Sequence, residues 1–263
     1  MAMPAATYWR KEGLGRLVEP HVAGEPSGAG AASAAIAPQI ADLARLHRLV
    51  RERMATTVLE FGVGFSTLVL ADALAKNEAD YRTLPKPPRL RNSKAFQLFS
   101  VDASEHWIAE TRRRLPPSLA ARSHISHSRV VAGTFQGRLC HYYERLPNVV
   151  PDFVYLDGPA PADVEGAVHG LDFSIDDRTV MAADLLLMES TLLPGAFILV
   201  DGRTNNARFL ARNFQRKFRE RYDPSADITS FELDEPPLGR HAVDLVAARR
   251  QANRRNKPRQ ARR

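Results

Sequence analysis

Four acidic side chains and a pair of glycines carry the clearest chemical signal in the sequence. In Val58-Leu-Glu-Phe-Gly-Val-Gly-Phe-Ser-Thr67, Gly62 and Gly64 stand where an apolar run gives way to a helical pattern. Small residues at such a turn let the backbone approach a ligand closely. The helix opening near Ser66 offers unsatisfied N–H groups to a polar or anionic partner. Tight turns also demand glycine for steric reasons, so the pair alone is compatible with plain turn geometry. Two neighbours narrow the chemistry. Thr67 takes the place of the third glycine of a dinucleotide fingerprint, and Glu60 sets a carboxylate two residues before Gly62. A carboxylate there repels a pyrophosphate and favours a cationic amine. The other three acids close apolar runs: Asp102 after Leu98-Phe-Ser-Val, Asp157 after Phe153-Val-Tyr-Leu, and Asp201 after Ala196-Phe-Ile-Leu-Val. A carboxylate accepts two hydrogen bonds from a cis-diol, and one at a strand end can also take a proton or help hold a cation. For Asp157, capping of the following loop is the competing role.

These residues need elements to position them. Thr57 to Phe61 reads as a first strand, preceded by a helix whose apolar positions Ile40, Leu43, Leu46 and Leu49 recur at near-helical spacing. Helical character resumes at Ser66 to Ala75. Phe96 to Val101, Arg129 to Ala132, Phe153 to Leu156 and Ala196 to Val200 read as the next four strands. A helix over Glu105 to Leu115 and a long one over Arg178 to Leu192 fall between them. Such alternation predicts a parallel sheet covered on both faces. Ile228 to Leu233 and Ala242 to Ala247 are separated by a turn-rich stretch too short for a parallel crossover, which predicts an antiparallel pair at the end of the sheet. Gly24 to Ala35 reads as a small-residue linker, and Glu78 to Lys94, with three prolines, as an exposed insertion.

On these residues the sequence resembles the class I S-adenosylmethionine-dependent methyltransferases. The resemblance implies a Rossmann-like α/β fold: a mostly parallel seven-stranded sheet with helices on both faces and a C-terminal antiparallel β-hairpin. With the resemblance placed over 36–248 as a methyltransferase domain, composition leaves an N-terminal extension and flexible linker over 1–35 and a disordered basic tail over 249–263. The resemblance implies that Glu60, Gly62, Gly64, Ser66 and Thr67 wrap the amino-acid part of S-adenosylmethionine. Asp102, with Ala103 beside it, would bind both ribose hydroxyls. Asp102 follows Gly64 by 38 residues, well beyond the roughly 20 of a compact βαβ unit, and the Glu78 to Lys94 insertion accounts for the excess. Gly133 and Thr134, after Val130-Val-Ala, would border the adenine; a plain strand-to-loop turn is the other reading there. Asp157 would lie beside the cofactor, and Asp157 and Asp201 would face the reacting atoms as catalytic residues.

The expected reaction is methyl transfer to the hydroxyl of a small molecule or sugar. A divalent cation such as Mg²⁺, held by Asp157 and Asp201 as in catechol-type O-methyltransferases, is a less favoured variant. Gly202 stands where that pattern has Asn, although Asn205 and Asn206 are close by. Arg203 and Arg208 are candidates for an acceptor's carboxylate or phosphate, with surface ion pairing the ordinary alternative. Ala162 to Asp177, with His169, Asp172, Asp176 and Asp177, is a candidate lid, and Trp107 a candidate neighbour of the cofactor.

Composition excludes several other classes. Across 263 residues no apolar run reaches the roughly 18 residues of a membrane helix, and the N-terminus lacks a secretory pattern, so the expected compartment is the cytoplasm. A single cysteine, Cys140, excludes an internal disulfide and a cysteine-built metal cage. The net charge is +7, but Arg249 to Arg263 holds eight bases and no acid, leaving −1 on the rest. That tail suits an anionic partner or simple solubility. Two other functions stay open on sequence grounds: a non-catalytic RNA-associated protein using the tail, and a nucleotide-cofactor oxidoreductase, against which Thr67 and Glu60 stand.

Overall fold

The computed structural model describes residues 3–22, 38–90, 92–237 and Leu245. Its centre is a seven-stranded sheet built from β1 (Thr57–Phe61), β2 (Gln97–Asp102), β3 (Ser123–His127), β6 (Phe153–Leu156), β8 (Phe197–Asp201), β9 (Phe218–Asp223) and β10 (Ile228–Leu233), in the order β3-β2-β1-β6-β8-β10-β9. All neighbours from β3 to β8 are parallel, while β10 runs antiparallel to both β8 and β9. The Rossmann-like arrangement expected from the sequence is therefore present, including the terminal antiparallel hairpin. The hairpin partner differs. Ile228–Leu233 pairs with the preceding β9, and β8 takes its other edge, so Ala242 to Ala247 is not its partner; that segment, apart from Leu245, lies outside the described residues.

The sheet divides two cores because successive side chains on a strand point to opposite faces. Val58, Leu98, Phe153, Phe197 and Leu199 turn to one face, which is covered by α1 (Ala5–Glu12), α2 (Gly15–Val22), α3 (Ile40–Arg53) and α4 (Phe65–Arg82). Leu59, Phe61, Phe99, Val101, Val154, Leu156, Ile198 and Val200 turn to the other. There they meet a smaller sheet, made of β4 (Val130–Phe135), β5 (Arg138–Tyr143) and β7 (Val164–Glu165), together with α7 (Asp184–Met188) and α8 (Thr204–Asn213). The central strands β1 and β6 are buried along their whole length, as strands covered on both faces must be. Two short helices, α5 (Glu105–Arg114) and α6 (Pro117–Ala120), join β2 to β3.

Residues 3–22 pack into the body: Tyr8, Trp9, Leu14, Leu17 and Val18 are buried with α3 and α4. Tyr8 Oη lies 2.7 Å from His47 Nδ1, and His47 Nε2 lies 3.0 Å from Asp72 Oδ2, which ties α1, α3 and α4 through one buried imidazole. Burial holds His47 below the usual histidine range, so Nε2–H donates to Asp72 while Nδ1 accepts from the tyrosine. The linker expected over Gly24 to Ala35 lies outside the described residues, as does the tail 249–263.

Three expectations need correction. Arg129 to Ala132 is not the third strand of the central sheet but the start of β4 in the smaller sheet; the third strand is β3. The helix expected over Arg178 to Leu192 is α7 followed by one 3₁₀ turn, Glu189–Thr191. Its first part is extended because Met181 and Ala183 exchange backbone hydrogen bonds with His141. The Glu78 to Lys94 insertion begins as helix, since α4 continues to Arg82, and Asn92 Nδ2 ties its far end to Thr57 Oγ1. No helix among the described residues is long and apolar enough to cross a membrane.

Candidate functional site

The chain turns sharply out of β1 at Gly62, whose φ of +90° lies in the left-handed region that favours glycine. Its N–H donates to Val101 O at 2.9 Å, fixing the turn to the end of β2. A Cβ on Gly62 would meet Gly158 N at 3.0 Å, and one on Gly158 would stand 2.6 Å from Gly62 N. The turns leaving β1 and β6 thus touch backbone to backbone. Gly64 is different. Its backbone is extended, with φ 168°, and an added Cβ would meet no atom within 4 Å. Among the described residues no atom would clash with a side chain there, so beyond capping the 18-residue α4 the glycine preserves room above the loop.

Glu60 is fully buried. Ser66 Oγ donates to its Oε1 at 2.7 Å, while Thr67 Oγ1 at 2.8 Å and Ser100 Oγ at 2.6 Å donate to Oε2. Thr67 Oγ1 also accepts from Gly64 N at 3.1 Å, half of a capping box. In this structure the Glu60 oxygens are turned inward to these three hydroxyls and hold the loop. The same contacts explain why Thr67 replaces a third glycine, since its hydroxyl bridges Glu60 to the loop.

Burial pushes the Glu60 carboxyl up to about 7, against hydrogen bonds that lower it. A folded value above the unfolded 4.5 means that this group's contribution to stability is fully present below pH 4.5 and is lost as pH rises through 7. Glu60→Gln should flatten that fall by about 3 kcal/mol, at 1.36 kcal/mol per unit. Urea unfolding at pH 5 and pH 8 measures it, and an unchanged difference in the variant would contradict the assignment.

Asp102 ends β2 beside the glycine loop. Its Oδ2 accepts from Val63 N at 2.8 Å and its Oδ1 from Ser104 N at 2.7 Å. Each carboxylate oxygen keeps a further lone pair, so the group can bridge the loop and still accept from a diol. Burial raises its pKa, opposed by the Ser104 and Val63 N–H groups. Ala103 is half-buried next to it, with its carbonyl 3.0 Å from His127 Nε2. Ser104 caps α5 by accepting from Trp107 N, which leaves Trp107 half-buried on that helix's first turn.

Asp157 and Asp201 end the neighbouring strands β6 and β8 and are linked by Tyr155. The buried phenol donates to Asp201 Oδ2 at 2.7 Å and lies 3.4 Å from Asp157 Oδ2. Asp157 is open to solvent yet crowded by protein, as a side chain in a crevice is. That crowding pushes its carboxyl up to about 6, with Arg203 pulling down and Asp201 pushing up. Burial likewise raises Asp201. Arg203, a candidate for the acceptor's anion, instead donates to the backbone carbonyls of Asp157 and Pro159, bracing the turn across the cis Gly158–Pro159 peptide.

The chain is distantly similar to several solved structures. No protein-family model matches the sequence, and no curated protein sequence matches it. The O-methyltransferase TomG from Streptomyces achromogenes, involved in tomaymycin synthesis and solved in complex with SAM, shares 16% identity over 84% of this chain and 89% of its own, with a TM-score of 0.42. An O-methyltransferase from Bacillus cereus in complex with SAH shares 14% over 87% and 90%, at 0.40. The methyltransferase PaMTH1 from Podospora anserina, bound to SAH, shares 13% over 89% and 99%, at 0.48. All three TM-scores lie below 0.5, so residue roles rest on this chain's own geometry.

That geometry brings Glu60, Gly62, Gly64, Ser66, Thr67, Asp102, Ala103, Asp157 and Asp201 to the carboxyl edge of the parallel strands, where open α/β sheets take ligands. It does not bring Gly133 and Thr134 to the end of a central strand. They sit inside β4, paired with Cys140 and Leu139; the chain leaving β3 passes Asp102 at Ser128, whose N–H donates to Asp102 O. A metal centre is poorly supplied: among the described residues no three His, Cys, Asp or Glu side chains converge. Asn206 is turned away to bond Ala182 N and O, Asn205 reaches only Thr179 Oγ1, and Arg208 is exposed. In the expected lid, the charge of Asp163 adds to the burial that raises the Asp102 pKa, while His169, Asp176 and Asp177 are exposed and Asp172 is half-buried.

Tyr155, Gly158, His141 and Tyr143 escaped the sequence reading. His141 and Tyr143 share one face of β5; both imidazole nitrogens and the phenol are buried without a partner among the described residues. The charge of Arg203 reaches both side chains and that of Asp102 reaches Tyr143. Burial, then Arg203, pushes His141 down to about 3, so it is neutral.

Proposed function

We propose that the chain binds S-adenosylmethionine at this edge and transfers its methyl group to a hydroxyl of a small-molecule or sugar acceptor. One observation carries the reading. Asp102 clamps the glycine loop through Val63 N and still presents acceptor capacity, while Gly64 keeps the space beside it free of side chain. That is the pairing a ribose diol and an extended amino-acid group require. The residues present fit the cofactor, which when bound supplies an electrophilic sulfonium methyl. Glu60, Ser66 and Thr67 would hold the loop in shape, and Asp102 would orient the ribose.

On the acceptor side Asp157 would take the hydroxyl proton, Tyr155 would fix Asp201, and Arg203 would hold the Asp157 turn. Catalysis of this kind draws mainly on positioning, with base assistance worth about a hundredfold or more. Asp157 acts as base only when ionised, so turnover should rise with pH through about 6. Asp157→Asn should lose that limb in a pH–rate profile taken with any acceptor found; a limb that persists assigns the base elsewhere.

The direct test is calorimetric titration with S-adenosylhomocysteine. Wild type should bind saturably. Gly64→Ala should stay folded and lose no more than about 1 kcal/mol, the N-cap preference for glycine over alanine, because its Cβ meets no described atom within 4 Å, yet bind at least tenfold more weakly, about 1.4 kcal/mol. Absence of binding by folded wild type, or unchanged affinity in Gly64→Ala, would sink the proposal.

A further inference from the structure

A groove of about 600 Å³ runs along the open edge of the central sheet, outside the site described above. Its floor is β3, whose only neighbour among the described residues is β2. Arg112 rises on one side and donates to Ile125 O at 2.8 Å, which covers one edge carbonyl and sets a guanidinium over the strand. Arg145 rises on the other; it is exposed, and its guanidinium has no partner among the described residues. Between them His124 stacks on Phe99, with ring centroids 4.7 Å apart and planes at 15°, and is itself exposed. Lys94 Nζ lies 5.2 Å from the same Phe99 ring. His127 ends the groove beside Ala103. No carboxylate is among the residues that line it.

We propose that this groove binds a single-stranded nucleic acid. Two guanidinium groups lining one groove supply the charge that phosphates of a nucleic-acid backbone need. An exposed imidazole already stacked on an aromatic ring is a platform on which a base extends the stack. The lining includes every residue of β3 from Ser123 to His127, so the groove follows the strand along its length. β3 stands three strand spacings from β6, roughly 14 Å at about 4.8 Å each. The groove therefore lies apart from the Asp157 crevice, and it does not depend on the cofactor reading.

Fluorescence anisotropy of a labelled 12-residue oligouridylate with the full chain tests this. The basic 249–263 segment stays constant across variants, so its contribution cancels. Wild type should bind at about 0.1 M salt, and Arg145→Glu should weaken binding roughly fivefold or more and make the salt dependence shallower. Arg212→Glu, an exposed charge reversal on α8, should have less than half that effect. His124→Ala should weaken binding without changing the salt slope, because it removes stacking rather than charge. The proposal is overturned by absence of binding or by equal loss in the two charge reversals. Full displacement by about 10 mM inorganic phosphate, which would mark a simple anion site, or by about 10 mM AMP, which would mark a free-nucleotide site, overturns it too.

Discussion

Asp102→Ala should abolish S-adenosylhomocysteine binding, lowering affinity by about a thousandfold or more. The substitution removes both acceptors of a diol, each bond to a charged group being worth roughly 1.5–3 kcal/mol. It also strips Val63 N and Ser104 N of their partners, at about 1–3 kcal/mol for each donor left unpaired. The two losses act together, because the loop freed at Val63 is the one that must wrap the ligand. Asp102→Asn separates them. One amide oxygen can still accept from a backbone N–H, so the fold and much of the loop should survive while binding falls by one to two powers of ten, about 1.4 kcal/mol each. Calorimetry on both variants, with melting curves to confirm folding, is the measurement. A tight-binding Asp102→Ala would remove this carboxylate from the ligand site.

Gly158→Ala should be the most damaging single methyl group that can be added near the site. Its Cβ would stand 2.6 Å from Gly62 N and 2.7 Å from Gly62 Cα, and both are backbone atoms that cannot rotate aside. Overpacking of this kind costs about 1–3 kcal/mol, which at this chain length lowers the melting temperature by roughly 5 °C. Relief requires the Gly62 turn or the Asp157 turn to move, so ligand affinity should fall in the same variant. Gly64→Ala adds the same methyl group two residues past Gly62 with nothing to strike, so the pair separates a steric need of the fold from a space kept for a ligand. A Gly158→Ala chain that melts like wild type would mean that the two turns do not touch.

The comparison of sequence with structure has a physical pattern. β1, β2, β6 and β8 were legible because strands buried on both faces read as apolar runs, and the acid closing each of the last three marks the carboxyl edge of the sheet. β3, Ser-His-Ile-Ser-His, and β9, Phe-Arg-Glu-Arg-Tyr-Asp, gave no such signal because among the described residues they are the outermost strands of the sheet and are largely open to water. Their absence from the reading shifted the third strand into β4 and the hairpin partner past β10. The position of Glu60 after an apolar run was legible, whereas the three hydroxyls that bond it come from α4 and β2 and were not. Tyr155, Gly158 and Arg203 act through neighbours 46, 96 and 44 residues away in the chain (Asp201, Gly62 and Pro159), a proximity that no local pattern encodes.

The contact between Gly62 and Gly158 has a kinetic side. With no side chain between the two turns, whatever settles the first into its bound shape also settles the second, and Asp157 sits one residue from that contact. On the proposed function, an acceptor arriving before the cofactor would meet a base whose position is not yet fixed. Such an arrangement favours a compulsory order of loading, cofactor ahead of acceptor, with the demethylated cofactor the last to leave.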